Sequence, residues 1–140
     1  MVGRSSRVYK VTKCFNYKQG LRFPYPVLKL KLFNVALEEL GILEIPIDTG
    51  FEGSILLPTD TYRFFKIAEL PRSMWRTYLT LTGIITMRVA RAIAETNGIR
   101  IETYVETPLY GGKKLLLGRE FLNKLTIVLD GPKNESCIVE

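Results

Sequence analysis

From Val27 to Leu32 the chain reads V-L-K-L-K-L. Leu28, Leu30 and Leu32 recur at every second position, with Lys29 and Lys31 between them. A period of two puts leucines on one face and lysines on the other, so the pattern predicts a half-buried β-strand. Pro24 and Pro26 lack backbone donors and stop this strand from extending backwards. Gly41 separates it from the apolar run Ile42–Ile47, which predicts a hairpin with its turn near that glycine. Further on, Ile99, Ile101, Thr103 and Val105 alternate with Arg100, Glu102, Tyr104 and Glu106. Asn97-Gly98, just before them, is a type I′ hairpin signal. A long strand from about Ile84 to Thr96 is therefore expected to fold back on Ile99–Glu106. Trp75–Leu81 is a further strand candidate and meets Ile84 across Thr82-Gly83.

Helical spacing shows in two places. One short helix is expected near Pro58-Thr59, turning Tyr62, Phe65 and Phe64 inward. Another follows Gly118, with Phe121, Leu122 and Leu125 on one side. Thr126–Asp130 and Cys137–Val139 complete the strand candidates. Many short strands with turn signals between them give an all-β class with one or two short helices, built as a closed or sandwiched β-barrel. No repeat or long linker divides the 140 residues, so one domain spanning 1–140 is expected. No apolar run reaches the roughly 18–20 residues that span a membrane. Met1–Ser6 lacks the apolar core of a secretory signal, which leads to a cytoplasmic expectation.

Composition narrows the chemistry. The chain contains no histidine, which excludes Ser-His and Cys-His base pairs and imidazole metal sites. Acid–base work must fall to carboxylates, lysines, tyrosines or cysteines. The net charge is +6, but the Lys and Arg residues are scattered rather than blocked. A solvated basic surface is favoured over a nucleic-acid partner. The rival reading would use Tyr9, Phe15, Tyr17, Phe23 and Tyr25 to stack bases among the N-terminal cations. Cys14 and Cys137 fit no metal motif. They are either buried free thiols or a disulfide tying the terminal strands, which is rare in cytosol outside hyperthermophiles. A single glutamine and abundant charged residues lean towards such a source.

The stretch E-I-P-I-D-T-G-F-E-G-S-I-L-L-P, Glu44–Pro58, runs an apolar strand straight into a carboxylate. Leu43, Ile45 and Ile47 alternate up to Asp48, and Thr49 and Gly50 follow at once. A carboxylate placed there must have its charge satisfied. Read alone, Asp-Thr-Gly is also an ordinary turn or cap. A second stretch, K-K-L-L-L-G-R-E-F-L-N-K-L from Lys113 to Leu125, has a similar form. Its apolar Leu115–Leu117 ends in Gly118, then Arg119 and a short helix. Hairpins lie between the two stretches.

In this order, Ile45-Pro46-Ile47-Asp48-Thr49-Gly50, the hairpin near Thr82-Gly83, and Leu116-Leu117-Gly118-Arg119 resemble the retropepsin-like aspartic proteases. The resemblance covers about Ile42 to Gly131, and Phe51 after the triplet is similar to a prokaryotic branch of that family. It implies a closed β-barrel that is active as a homodimer. Asp48 would be the catalytic carboxylate, Thr49 would tie the two active-site loops together, and Gly50 would leave room for substrate. Thr82 and Gly83 would lie in the flap, while Phe51 would narrow the cleft. Gly118 would support the catalytic loop, and Arg119 would pair with Glu52. The implied activity is an aspartic endopeptidase on peptide or protein substrates, with no metal and no cofactor. The chemistry needs two carboxylates, yet the chain has one Asp-Thr-Gly; Glu120 and Asp130 lack that context. Two copies of Asp48 must therefore meet on a twofold axis. The alternative is a catalytically silent peptide-binding or interaction module of the same fold. Residues 1–25 precede the resemblance, as an added strand at the dimer interface or a cover for the cleft.

Overall fold

The computed structural model describes residues 10–140. Among these residues ten strands are formed: β1 Val11–Asn16, β2 Val27–Phe33, β3 Glu39–Pro46, β4 Ile55–Leu56, β5 Arg76–Thr80, β6 Gly83–Thr96, β7 Ile99–Pro108, β8 Leu116–Leu117, β9 Thr126–Asp130 and β10 Glu135–Val139. Two single-turn helices, α1 Thr59–Tyr62 and α2 Arg119–Leu122, interrupt them, and α1 tightens into a 3₁₀ turn over Arg63–Ala68. No helix among the described residues is long and apolar enough to cross a membrane.

The alternation in β2 does what the sequence predicts. Leu28, Leu30 and Leu32 are fully buried, while Lys29 is exposed and Lys31 half-exposed. The β6–β7 hairpin also forms, turning at Asn97-Gly98, both with positive φ as a type I′ turn requires. The β2–β3 turn lies elsewhere than expected. It spans 34–38, where the Asn34 carboxamide oxygen accepts the amides of Ala36 and Glu38 at 3.0 and 3.1 Å. Gly41 instead sits inside β3, opposite Leu32, at φ 125° beside a bulge. Exposed Val35 and Leu37 disguise the turn as apolar chain.

The barrel expected from the sequence does not close. A seven-stranded sheet carries the order β3-β2-β6-β7-β4-β8, with β5 paired to β6. Its two edges touch only at an isolated parallel bridge, Ile47 to Leu117. The reason is length: β8 has two residues and cannot ladder along β3. A second sheet, β1-β10-β9, lies beside it, and both sheets feed one core. Phe15 and Ile138 from the small sheet pack with Leu28, Leu30, Ile45, Val105, Tyr62, Phe65 and Phe121. Tyr62 and Phe65 turn inward as expected; Phe64 is only half-buried and meets Phe65 edge-on.

Within residues 1–25, β1 pairs antiparallel with β10, and Cys14 stands opposite Cys137 in a disulfide. The free-thiol reading is thereby replaced. Among the aromatics considered for base stacking, Tyr9 lies outside the described residues, Phe15 is core, and only Phe23 is largely exposed. No continuous aromatic platform remains there. The disulfide closes a loop across nearly the whole chain, with a sequence separation of 123. Loop-closure entropy then makes it stabilising by up to about 5 kcal/mol. Replacing both Cys14 and Cys137 with Ser should lower the urea midpoint accordingly, and an unchanged midpoint would contradict a stabilising bridge.

Candidate active site

β3 ends at Pro46, and the chain there is caught by β8. Ile47 bridges Leu117, and the Asp48 amide donates to the Leu117 carbonyl at 2.9 Å. The carboxylate then organises its own turn: Gly50 donates to Asp48 Oδ1 at 2.9 Å and Phe51 to the Asp48 carbonyl at 3.2 Å. The Oδ2 atom has no hydrogen-bond partner among the described residues. Asp48 is half-buried, and its carboxylate borders a groove of about 1060 Å³.

The loop after Asp48 is gripped by the start of α2. Gly118 donates to the Ser54 carbonyl at 2.7 Å, Arg119 to Phe51 at 2.8 Å and Glu120 to Gly53 at 3.1 Å. This close approach forbids side chains at two positions. A Cβ at Gly118 would collide with the Gly53 carbonyl and the Phe51 ring; one at Gly53 would strike the Glu106 carboxylate, Phe51 and the Tyr78 hydroxyl.

Glu106 is the residue that sequence reading missed. It was placed on the polar side of an alternating strand, yet it is fully buried. The Ser54 amide donates to its Oε2 at 2.8 Å, the Tyr78 hydroxyl to Oε1 at 2.6 Å and Arg76 Nη1 to Oε2 at 3.2 Å. Arg76 continues to Glu120, 3.0 Å away. A buried carboxylate is tolerated because every neighbour donates to it. Burial first, and then the hydrogen bond to Glu106, push the Tyr78 phenol far above its ordinary value. Burial works against the Arg76 charge, but Glu106 and Glu120 outweigh it and keep the guanidinium protonated. The available sequence signal was Arg76 and Tyr78 two residues apart on one face of β5. Their acceptor becomes visible only when β7 is placed.

Other proposed positions are distributed around this frame. Phe51 packs against Tyr78 with ring centroids 5.5 Å apart, linking the Asp48 loop to β5. Thr49 is exposed, and its hydroxyl makes no hydrogen bond among the described residues. Arg119 and Glu52 face each other at 3.5 Å, both at least half-exposed, so their pairing adds little stability. Thr82 and Gly83 form the exposed tip of the β5–β6 hairpin, with Gly83 at φ 125° and its carbonyl accepting the Thr80 hydroxyl at 2.8 Å. The groove is bordered by Thr80 and Ile84, whereas Thr82 and Gly83 lie beyond it.

An uncharacterized protein of Archaeoglobus fulgidus is 32% identical over 106 residues, covering 74% of this chain and 82% of that protein. The chain belongs to the family of that protein. Its fold is retropepsin-like: a retropepsin-like aspartic protease from Rickettsia conorii superposes with a TM-score of 0.55 at 15% identity, over 91% of this chain and 98% of that one. The EIAV protease, solved with the inhibitor HBY-793, matches with a TM-score of 0.49 at 18% identity, over 76% and 92% of the two chains. No protein-family model matches the sequence.

Removing Glu106 would leave Arg76 partly buried without its main counter-charge. Glu106→Ala should therefore cost about 3–5 kcal/mol in chemical denaturation, with Glu106→Gln milder. A loss within experimental error would refute the network's role. A pH test follows from Tyr78 and from Tyr62, which burial and then Glu69 also raise strongly. Folded-state values above the unfolded value of about 10 stabilise the protein fully below that pH and progressively less above it. Spectrophotometric titration should show Tyr62 and Tyr78 resisting ionisation until the protein unfolds.

Proposed function

We propose that the chain is a single aspartic endopeptidase domain working as a homodimer, with Asp48 of each copy forming the catalytic pair. The observation that carries this reading is the half-buried Asp48 carboxylate, with one oxygen held by the Gly50 amide, at the edge of a large groove on a retropepsin-like fold. One copy supplies one such acid, and the reaction needs an acid and a base together. Two carboxylates at hydrogen-bond distance cannot both ionise cheaply, so the pair shares a proton. The ionised member takes a proton from water, the oxygen attacks the peptide carbonyl, and the protonated member donates to the carbonyl oxygen. In the collapse of the tetrahedral diol, the carboxyl that took the water proton donates it to the amide nitrogen while the other carboxylate takes a proton from a diol hydroxyl. The C–N bond then breaks, and an amine and a carboxylic acid leave with no acyl-enzyme.

The remaining positions have supporting roles in this scheme. Thr49, exposed in one copy, would bond across the twofold axis. Gly50 keeps the approach to the carboxylate free of a side chain. Gly118 holds the loop at its working height, and Arg119 with Glu52 brackets it. The β5–β6 hairpin, tipped by Thr82 and Gly83, would cover an extended peptide, and Phe51 would shape the pocket beneath it. The cytoplasmic location expected from sequence fits the Cys14–Cys137 disulfide only where cytosolic disulfides persist, as in hyperthermophile proteins.

Asp48→Asn should abolish peptide cleavage while leaving the thermal transition nearly unchanged. A pepstatin-type inhibitor should block the wild type, cleavage should be strongest at acid pH, and sedimentation should give a dimer. Cleavage that survives Asp48→Asn, or full activity from a monomer, would overturn the proposal.

A further inference from the structure

The groove beside Asp48 has an uneven charge pattern. Its walls are largely apolar, with Leu56, Met87, Leu79, Ile84 and Leu116 among them. Four of the residues lining it carry formal charge: Asp48, Glu52, Lys113 and Lys114. Glu52 faces Arg119, which offsets its charge. Neither lysine has an ion-pair partner among the described residues. They stand next to each other on the connection from β7 to β8, and that connection is fastened at both ends. Gly112 accepts the Thr59 amide at 3.1 Å and leaves no room for a Cβ between Thr59 and Thr107. Two residues beyond Lys114, Leu116 enters β8 and pairs with Leu56. The two exposed lysines are thus carried on an anchored support that lines an apolar trough.

From this we infer that Lys113 and Lys114 form a specificity subsite, and that the groove selects extended peptides bearing an acidic side chain beside apolar residues. The inference rests on the endopeptidase reading and adds its substrate class. Apolar walls reward burial of aliphatic or aromatic side chains. Two unpaired cations favour a carboxylate and repel a basic residue, so discrimination comes from both signs. In a twofold dimer the lysines recur on both halves of the groove, and the preference applies on both sides of the scissile bond.

The test uses the full-length protein and peptides blocked at both ends, identical except for one internal Glu, Gln or Lys flanking an apolar cleavage point. At about pH 5.5 the peptide Glu is ionised. Wild type should then favour Glu over Gln by about 3- to 10-fold in kcat/KM, with Lys worse than Gln, and the margin should shrink as salt rises. The Lys113→Glu/Lys114→Glu double variant should reverse the order while melting like wild type. A further peptide, with Gln inside and a free C-terminal carboxylate, separates the two sources of negative charge. Equal rates for Glu, Gln and Lys, an order unmoved by the double variant, or a gain only from the free terminus would each overturn the inference. Binding of the same peptides to Asp48→Asn, followed by fluorescence anisotropy, needs no turnover. If no peptide is cut, the endopeptidase reading fails, and the anisotropy ranking still decides whether the lysines choose acidic ligands.

Discussion

Consecutive amides from Gly118, Arg119 and Glu120 donate to the carbonyls of Ser54, Phe51 and Gly53, and the candidate site depends on that grip. The strands involved, β4 and β8, have two residues each and could not hold a loop in place by themselves. The grip works only while positions 53 and 118 lack side chains, because their backbones and the Phe51 ring occupy the same small volume. Asp48 inherits its position from this arrangement. Its own amide is fixed by Leu117, one residue before the grip begins. An aspartate ends an apolar strand here because that strand delivers it to the edge of a groove, where one carboxylate oxygen is satisfied from within the turn and the other has no hydrogen-bond partner among the described residues.

A second layer ties that loop to the neighbouring hairpin. Glu106 on β7 takes hydrogen bonds from Ser54, Tyr78 and Arg76, so the loop, β5 and, through Glu120, α2 share one buried charge. Removing a carboxylate from water is costly, and only a full set of donors makes that position tenable. The hairpin is consequently fixed at its base, through Tyr78 and Arg76. Its tip is different: Leu79, Leu81 and Ile84 are exposed, and the local bonds at Thr80 stay within the tip itself. The hairpin thus carries an exposed apolar patch at the end of an anchored base.

The small sheet solves a separate problem. Strand β10 is paired on both sides, by β1 and β9, and the disulfide fastens the edge strand β1 to it. Phe15 and Ile138 carry this sheet into the common core. The N-terminal aromatics therefore divide between packing and surface, which removes the stacking platform that their spacing suggested.

Local pattern determined a good deal. Period-two alternation marked β2, whose leucines face the core, and β7, the return arm of β6. Asn97-Gly98 fixed the hairpin between the last two, because few dipeptides tolerate positive φ twice. Asp48-Thr49-Gly50 and Leu117-Gly118-Arg119 stood out for the same local reason, as apolar strands that stop at residues suited to tight turns. What sequence could not decide depended on partners distant along the chain. The β2–β3 turn was set by one asparagine side chain, openness of the large sheet by the shortness of β8, and the state of Cys14 by the strand opposite it. Glu106 is the sharpest case: in the sequence it is one more polar residue on an alternating strand. Whether such a carboxylate faces water or is enclosed depends on donors 28, 30 and 52 residues away, and those meet only when the sheet is assembled.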